Sequence, residues 1–487
     1  MLILSILVPV LWGLGILLVP GFKSRNGLLT VTGLGLAAAA CLGTAVLLGP
    51  ETGLRLFSFG KNLEIFFHVD GLGRVFAAVV DLVWVLSGVF AFSYMKHEKE
   101  EKRFFGLYVL VFGVLHALVF SGNMVTFYLF YELMTLLSVP LILHNRSREA
   151  IMGGMKYLFY SLFGAYMVLF GLFFLNRYAA TLDFLPGGTL DMAAVAGNEG
   201  LMRIVAFAMI VGFSVKAGMF PLHAWLPTAH PVAPAPASAV MSGIIVKMGV
   251  LGMIRVVYYL IGADVIRGSW VQTAWLILSL ITVFMGSMLA YREKVMKKRL
   301  AYSTVSQASY ILFGLALLQP QAMTGALLHV VFHAVIKSCL FLSAGAIIYK
   351  THKTNVQELR GIGKEMPVTV WCYTFAAAAL IGIPPASGFI SKWYLAAGAL
   401  DSGLGVFSWL GPVVLLVSAL LTAGYLLPVT VNGFLPGADY AYDSLKKREP
   451  GLLMVLPLLI LAALAVLLGV FPEALTEFLS QIAAGVL

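Results

Sequence analysis

Seven ionisable side chains of this sequence interrupt long apolar stretches, where a charge at the centre of a bilayer costs on the order of 3 kcal/mol or more. Such a group needs a partner, a water-filled cavity or a neutral state. The spacing of four residues between His329, His333 and Lys337 puts them on one face of a helix. The full set comprises Glu132, Lys216, Lys247, His329, His333, Lys337 and Lys392.

These residue types can move protons without a cofactor. Burial favours the neutral form of both lysine and glutamate, whereas a Lys–Glu ion pair keeps both side chains charged. Separating the pair lets the lysine release its proton, so lysines joined by histidines and water would form a chain of coupled titrating groups. The sequence therefore predicts a proton pathway at the membrane midplane through the seven residues.

The same residues also have simpler interpretations. A lysine near the end of a span can extend its ammonium group to the headgroups, which applies most to Lys392. The histidines can be hydrogen-bonded core residues. Asp81, another acidic residue deep in a span, is expected to form a structural hydrogen bond.

The composition is that of a membrane protein. The 487 residues are 60% hydrophobic and only 11% charged, and the mean hydropathy is +0.95. Such a sequence excludes a cytosolic enzyme, a secreted disulfide scaffold and a nucleic-acid binder. We therefore attribute the net charge of +10 to cationic loops on one membrane face.

The sequence predicts no cofactor and no metal site in this chain. Cys41, Cys339 and Cys372 lie in apolar runs without a CxxC pair or a zinc-like spacing to histidine. Neither a GxxxxGK[ST] loop nor a strand followed by GxGxxG is present. Any redox centre must therefore belong to another subunit.

Apolar segments long enough to cross a bilayer predict an all-α polytopic protein with fourteen transmembrane helices. The first segment, which has no basic n-region, is expected to be a retained helix rather than a signal peptide. The predicted spans lie near 2–20, 28–48, 70–94, 104–121, 123–142, 153–176, 202–220, 235–261, 270–291, 301–318, 322–349, 367–400, 409–434 and 452–470.

The expected location is the prokaryotic cytoplasmic membrane, and the distribution of lysine and arginine predicts that the N-terminus is outside. With that orientation most of the 32 basic residues, Lys23 among them, fall in inside loops. The basic residues of the outside loops are only Arg55, Lys61, Arg177, Arg203 and Arg267.

Two of the predicted spans contain helix breaks. Pro221 follows Lys216 in the seventh span, and Pro384 and Pro385 precede Lys392 in the twelfth. Paired breaks are typical of inverted-repeat transporters, and a separation of five spans gives the two units opposite orientations. We expect inverted five-helix repeats at 104–261 and 262–434, preceded by helices 1–3 (1–103) and followed by a C-terminal helix and tail (435–487).

Five segments of the chain resemble one protein family. The segment KAGMFPLHAWLPTAHPVAPAPASAVMSGIIVKMGVLGMIRV is similar to the family's seventh and eighth helices, and FYLFYELMTLLSVPLI to its fifth. KKRLAYSTVSQASYILFG, HVVFHAVIKSCLFLSAGAI and GIPPASGFISKWY resemble its tenth, eleventh and twelfth helices. The family comprises the antiporter-like subunits of respiratory complex I, of Mrp-type cation/proton antiporters and of membrane-bound hydrogenases.

The resemblance implies a role for each matching residue. Glu132 corresponds to the fifth-helix glutamate, Lys216 to its lysine partner and Lys247 to the central lysine of the eighth helix. Lys392 matches the lysine at the outer half-channel, where some members carry glutamate. Thr228 replaces an aspartate that is common among relatives, which puts the inner entrance in doubt. No long amphipathic helix is expected after the last span, which argues against the extended complex I subunit, and the length and Lys392 favour the shorter class that includes the Mrp D-type and hydrogenase-type subunits.

Three functions stay open on this basis. The preferred one is proton translocation in a complex I-related redox-driven pump, of NADH or ferredoxin dehydrogenase or hydrogenase type, with similar membrane subunits and a peripheral redox arm as partners. The second is a subunit of an Mrp-type sodium/proton antiporter, with small Mrp-type subunits as partners. The third is a structural membrane anchor whose lysines are silent.

Overall fold

Runs of leucine, alanine, valine and glycine with few charged residues fold almost entirely into helices in the computed structural model, which describes residues 1–22, 24–60, 62–437, 440 and 446–487. Lys23 and Lys61, which the orientation argument uses, lie outside the described residues. The helices of the first part are α1 (Leu2–Leu18), α2 (Arg25–Leu48), α3 (Gly71–Tyr94), α4 (Glu101–Val119), α5 (Met124–Ile142) and α6 (Arg148–Tyr178).

The middle of the chain forms a broken helix and a central composite helix. The elements are α7 (Met192–Val195), α8 (Glu199–Ala217), α9 (Leu226–Val232), α10 (Ala235–Val240), a π-helical turn (Met241–Ile245), α11 (Val246–Ile254), a second π-helical turn (Arg255–Ile261) and α12 (Ala263–Ile266).

The last part repeats this pattern of long helices with one break. It contains α13 (Trp270–Arg292), α14 (Met296–Ala316), α15 (Pro320–Thr351), α16 (Ile362–Glu365), α17 (Pro367–Ile381), α18 (Ser387–Leu400), α19 (Val406–Phe434), α20 (Leu452–Val470) and α21 (Glu473–Val486). The 3-10 turns are Met95–His97 and Val356–Leu359. Helix α21 follows the last predicted span and packs against α15.

Among the described residues, eleven helical segments are long and apolar enough to cross a membrane. Eleven of the fourteen predicted spans coincide with these segments, and the other three do not. The three that fall short are α1, which has only 17 residues, α14, which carries many polar residues, and the twelfth, which is divided between α17 and α18. The finding of a polytopic helical membrane protein thus agrees with the sequence.

Both helix breaks occur where the sequence predicts them. Helix α8 is terminated by Gly218 in the left-handed conformation, with φ of 80°, and a cis Phe220–Pro221 bond follows. Helix α17 is terminated by Gly382 with φ of 95°, followed by a cis Pro384–Pro385 bond. Glycine adopts positive φ without steric cost, which explains why each helix ends at that residue.

An antiparallel hairpin, which the sequence analysis did not predict, connects α2 and α3. Its strands are β1 (Gly53–Gly60) and β2 (Leu63–His68), with Gly53 paired to His68 and Gly60 to Leu63. The hairpin is fastened to α5, because the Phe66 N–H donates to Thr126 Oγ1 at 2.9 Å. Hydropathy does not reveal it, because the apolar stretch is too short to span a bilayer.

The core lies around α15 and the composite helix 235–261, which are buried over almost their whole length. The outer helices instead expose large apolar side chains, including Phe159, Phe173 and Leu420, which are 63%, 68% and 74% exposed. This distribution suits a protein surrounded by lipid, because large apolar side chains face outward while buried lysines and histidines lie within a mostly apolar core.

A candidate proton pathway in the membrane interior

Lys216 occupies a hydroxyl-lined pocket at the C-terminal end of α8. Its Nζ donates to Thr135 Oγ1 at 2.9 Å, to Tyr157 OH at 3.0 Å and to Ser161 Oγ at 2.8 Å. It also lies 4.4 Å from the centroid of the Tyr157 ring. An ammonium group has three hydrogens, and all three have acceptors here. Lys216 is completely buried, so it does not extend to the headgroups.

Glu132 lies on α5, one helical turn before Thr135 and on the same face. It is half-buried, and its Oε1 is buried without a hydrogen-bond partner in the described structure. Among the described residues no ion pair within 4.0 Å joins Glu132 to Lys216. The structure therefore places both members of the predicted pair in one region but holds them apart, with Thr135 in contact with the lysine.

Lys247 contacts His333 directly in the core of the protein. Its Nζ lies 2.5 Å from His333 Nδ1 and 2.5 Å from the carbonyl oxygen of Ser242, and Lys247 and His333 are both buried. A lysine that donates to Nδ1 requires that nitrogen to be an acceptor, so a neutral His333 carries its hydrogen on Nε2. That Nε2 has no partner in the described structure.

Lys392 lies beyond the second break, in α18, and points back at α17. Its Nζ donates to the carbonyl oxygens of Leu380 at 2.6 Å and Ile381 at 2.8 Å. These carbonyls belong to the last turn of α17, where the helix dipole favours a cation. The amine also lies 5.2 Å from the ring centroid of Tyr310.

His329 connects the Lys392 region to His333. Its Nδ1 lies 2.9 Å from Ser391 Oγ, its ring stacks on Tyr310 with centroids 5.5 Å apart, and its centroid is 5.7 Å from that of His333. Lys337, one turn further along α15, instead donates to the carbonyl oxygen of Leu300 at 3.0 Å. The structure thus brings Lys247, both histidines and Lys392 into one polar cluster.

The pathway residues form two groups rather than one continuous line of contacts. No described hydrogen bond joins the Lys216 pocket to Lys247. Between them α8 and α11 approach closely at Gly249, where an added Cβ would lie 2.9 Å from Lys216 Cβ and 2.6 Å from Phe213 O. A direct link between the two lysines is therefore not part of this conformation.

Two buried polar residues beside these groups are not among those predicted from the sequence. His230 of α9 is completely buried, stacks on Phe341 with centroids 4.7 Å apart and has no hydrogen-bond partner for either ring nitrogen in the described structure. Gln307 of α14 is equally buried, with both amide atoms lacking a described partner. Both residues interrupt mostly apolar or small-residue segments, the criterion that identified the other seven.

Asp81 lies outside these groups and makes the structural contact that the sequence suggested. One carboxylate oxygen is 2.7 Å from His116 Nε2, and His116 Nδ1 is 3.0 Å from the carbonyl oxygen of Ser5. This chain of contacts connects α3, α4 and α1. In the part of the chain that the structure describes, no group of three histidine, cysteine or acidic residues is arranged to hold a metal ion.

The fold and this interior define a class: a polytopic helical membrane protein with a buried array of lysines, histidines and one glutamate. Residues 121–424 match the family described as NADH:quinone oxidoreductase/Mrp antiporter, TM, and residues 57–105 match NADH-Ubiquinone oxidoreductase (complex I), chain 5 N-terminus. The chain belongs to the NADH:quinone oxidoreductase/Mrp antiporter family, which confirms the resemblance found in the sequence.

Curated relatives come from three kinds of complex. The chain is 31% identical over 434 residues to NADH-quinone oxidoreductase subunit N of Desulforudis audaxviator, covering 85% of this chain and 84% of that protein. It is 30% identical to hydrogenase-4 component B of Escherichia coli, covering 86% and 64%. It is 26% identical to the D-type Na(+)/H(+) antiporter protein of Alkalihalophilus pseudofirmus, covering 100% and 97%.

Solved structures share the fold over the whole chain. A chain of the Mrp complex from a Dietzia species is similar with a TM-score of 0.83 and 22% identity, covering 100% of this chain and 97% of that one. A chain of an archaeal membrane-bound sulfane sulfur reductase has a TM-score of 0.85 and 23% identity, with the same two coverages. One in respiratory complex I from Thermus thermophilus has a TM-score of 0.81 and 22% identity, covering 99% and 98%.

Proposed function

We propose that this chain is a proton-translocating, antiporter-like membrane subunit of a multisubunit complex related to respiratory complex I and Mrp antiporters. The observation that carries the proposal is the contact between Lys247 Nζ and His333 Nδ1, both buried in the core. An amine and an imidazole in direct contact are a proton donor and a proton acceptor within hydrogen-bond reach of each other. The functions of the relatives in the family support the same conclusion.

The proton moves through His333 by use of both ring nitrogens. Lys247 delivers a proton to Nδ1, and the ring then releases the hydrogen that Nε2 carries, toward the unpartnered Nε2 of His329. A bridging water would complete this step, since the site is polar and the two imidazole rings lie close together. From His329 the path continues to Ser391 Oγ, and the step to Lys392 requires water, because Ser391 donates to the carbonyl oxygen of Gly388 at 3.2 Å and no described hydrogen bond joins it to Lys392.

The Lys216 pocket acts as the second proton-holding group. Three hydroxyls stabilise the ammonium form of Lys216 while Glu132, one turn away, is not paired with it. A rotation of the Glu132 side chain toward the pocket would form the Glu132–Lys216 ion pair and attract the Lys216 ammonium group toward α5. Opening and closing of this pair is the proposed gate, because it changes whether Lys216 holds its proton. Transfer on to Lys247 requires hydration between α8 and α11.

We also propose the finer architecture that the sequence suggests: fourteen spans, an outside N-terminus in the cytoplasmic membrane and inverted repeats at 104–261 and 262–434. The helix starts support the repeats. Helices α5 and α14 begin at Met124 and Met296, and α6 and α15 begin at Arg148 and Pro320. Helix α14 therefore begins as many residues after α5 as α15 begins after α6.

The proposed partners are further antiporter-like subunits with either a peripheral redox arm or small Mrp-type subunits, because the chain's own residues supply no energy source. Coupling to a redox module is the preferred assignment. The specific observation for sodium/proton antiport is the full-length match to the D-type antiporter protein, which covers 97% of that relative. A silent anchor would leave the buried lysines without a role.

The test is proton transport by the complete complex reconstituted in liposomes, with and without sodium. Lys247→Ala should reduce proton transport by on the order of a hundredfold, the contribution of a positioned acid or base. Lys294→Ala, which changes an exposed loop lysine, is the matched control. Transport that requires sodium would identify the antiporter, and an unchanged rate in Lys247→Ala would establish the silent anchor.

A further inference from the structure

Two of the buried lysines donate to backbone carbonyl groups in the core. Lys337 donates to the carbonyl oxygen of Leu300 in α14 at 3.0 Å. Lys247 donates to the carbonyl oxygen of Ser242, in the π-helical turn Met241–Ile245, at 2.5 Å. Lys337 is therefore positioned by the backbone of a neighbouring helix, whereas Lys247 is positioned by the preceding turn of its own composite helix.

Two hydroxyl groups, those of Ser242 and Thr304, connect the two residues whose carbonyl groups hold the lysines. Ser242 Oγ lies 2.7 Å from Thr304 Oγ1, and Thr304 Oγ1 donates to the carbonyl oxygen of Leu300 at 3.0 Å. A hydroxyl group has one hydrogen. Because Thr304 gives its hydrogen to Leu300, the Ser242 hydroxyl must be the donor to Thr304. Neither side chain is exposed at all, so water does not compete for these bonds.

The hydroxyl pair is suited to positioning rather than to carrying protons. The Ser242 hydroxyl donates its hydrogen to Thr304, and the Thr304 hydroxyl donates its hydrogen to the Leu300 carbonyl oxygen. The same carbonyl oxygen also accepts from Lys337. A carbonyl oxygen accepts hydrogen bonds but has no proton to pass on. The next residue, Gly243, brings the same turn against α15, since an added Cβ would lie 2.6 Å from Ser338 Oγ.

We propose that Ser242 and Thr304 are positioning residues that couple Lys337 to Lys247. The pair fixes the spacing of the two carbonyls and hence of the two amines, so that a proton gained or lost at Lys337 acts on Lys247 at a defined distance. This inference rests on the proposed proton pathway. It adds to the pathway two residues that position the lysines but do not themselves transfer the proton. A purely structural pair would instead only fasten α14 to the central helix.

The test is a double-mutant cycle on proton transport by the reconstituted complex, because a cycle isolates the interaction between two positions. Thr304→Val should lower the rate about tenfold, as expected for one lost hydrogen bond, and Thr304→Ser should retain it. In a Lys337→Ala background Thr304→Val should cause no further loss. If Lys337→Ala leaves no measurable rate, Lys337→Arg replaces it in the cycle.

Thr32→Val is the matched control, because Thr32 is also buried and its hydroxyl donates to the backbone of the preceding turn, Leu28 O, at 2.8 Å. A wild-type rate in Thr304→Val, or a loss that adds in full to that of the Lys337 variant, would overturn the positioning role. If Thr304→Val does not assemble, Ser242→Ala enters the same cycle. An unchanged rate in Lys247→Ala would instead reject the proton pathway itself, whatever the cycle shows.

Discussion

At the scale of single residues, the environment of each buried ionisable group determines what it can do. Lys216 has three hydroxyl acceptors, Lys247 has an imidazole and Lys392 has two helix-terminal carbonyls. Hydroxyl and carbonyl groups stabilise an ammonium group, whereas an imidazole can accept its proton. Lys247 is therefore the position at which transfer along the pathway is most favourable.

His144, in the loop between α5 and α6, makes the stability of the folded protein depend on pH through a group outside the membrane-spanning segments. It is buried, and its Nε2 lies 2.8 Å from the carbonyl oxygen of Lys99. Burial lowers the pKa of His144 from 6.5 to about 4, with help from the Arg103 charge. The unfolded chain then binds a proton that the folded chain does not, so stability is present above pH 6.5 and is lost as the pH falls toward about 4.

We predict that the apparent melting temperature of the detergent-solubilised protein falls by several degrees over that range. The His144→Gln variant, which keeps an N–H donor for Lys99 O, should show a flatter profile between the same two pH values. Parallel profiles of the two proteins would contradict the assignment of this acid sensitivity to His144.

At the scale of elements, the sequence predicts the helices and their breaks but not the contacts between them. Glycine and proline encode the breaks locally: the breaks lie at Pro221, Pro384 and Pro385 as predicted, and the structure adds that Gly218 and Gly382 end the helices before them. The hairpin Gly53–His68 was missed because the prediction relied on apolar runs long enough to span a bilayer, and this stretch is too short. The hydroxyl pocket of Lys216 and the unpaired state of Glu132 depend on how α5, α6 and α8 pack, which hydropathy and spacing do not specify.

The close approach of α8 and α11 gives a prediction at this scale. Gly249→Ala should destabilise the protein by about 1–3 kcal/mol, the usual cost of overpacking, because its Cβ would clash with Phe213 O and Lys216 Cβ. Gly200→Ala in α8 is the control, since nothing lies within 4 Å of its added Cβ. Thermal unfolding that is equal in the two variants would show that the contact at Gly249 is not tight.

At the scale of the whole molecule, the charge distribution and the two helix breaks are the basis of the proposed orientation. Exposed basic loops on one face and broken helices from opposite halves fit an inverted-repeat protein with its N-terminus outside. Composition alone identified the membrane class, and the motif segments identified the family. Neither distinguishes a redox-driven pump from a sodium/proton antiporter, because that difference lies in partner subunits that this chain does not encode.

The orientation predicts which loops a membrane-impermeant maleimide reaches. In a Cys41→Ser background, Asp264→Cys should react in intact cells and Lys294→Cys only in inverted membrane vesicles. Both positions are exposed in the structure, so accessibility within the protein is matched. The reverse pattern of labelling would place the N-terminus inside.

The most direct measurement of the central claim is the proton flux that the assembled complex drives across liposomes when Lys216 is replaced. Lys216→Ala empties the hydroxyl pocket, and we predict a decrease in flux on the order of a hundredfold, with normal assembly and a normal rate in Lys294→Ala. A Lys216→Ala complex that assembles and moves protons at the wild-type rate would contradict the claim that the buried ionisable groups carry the proton.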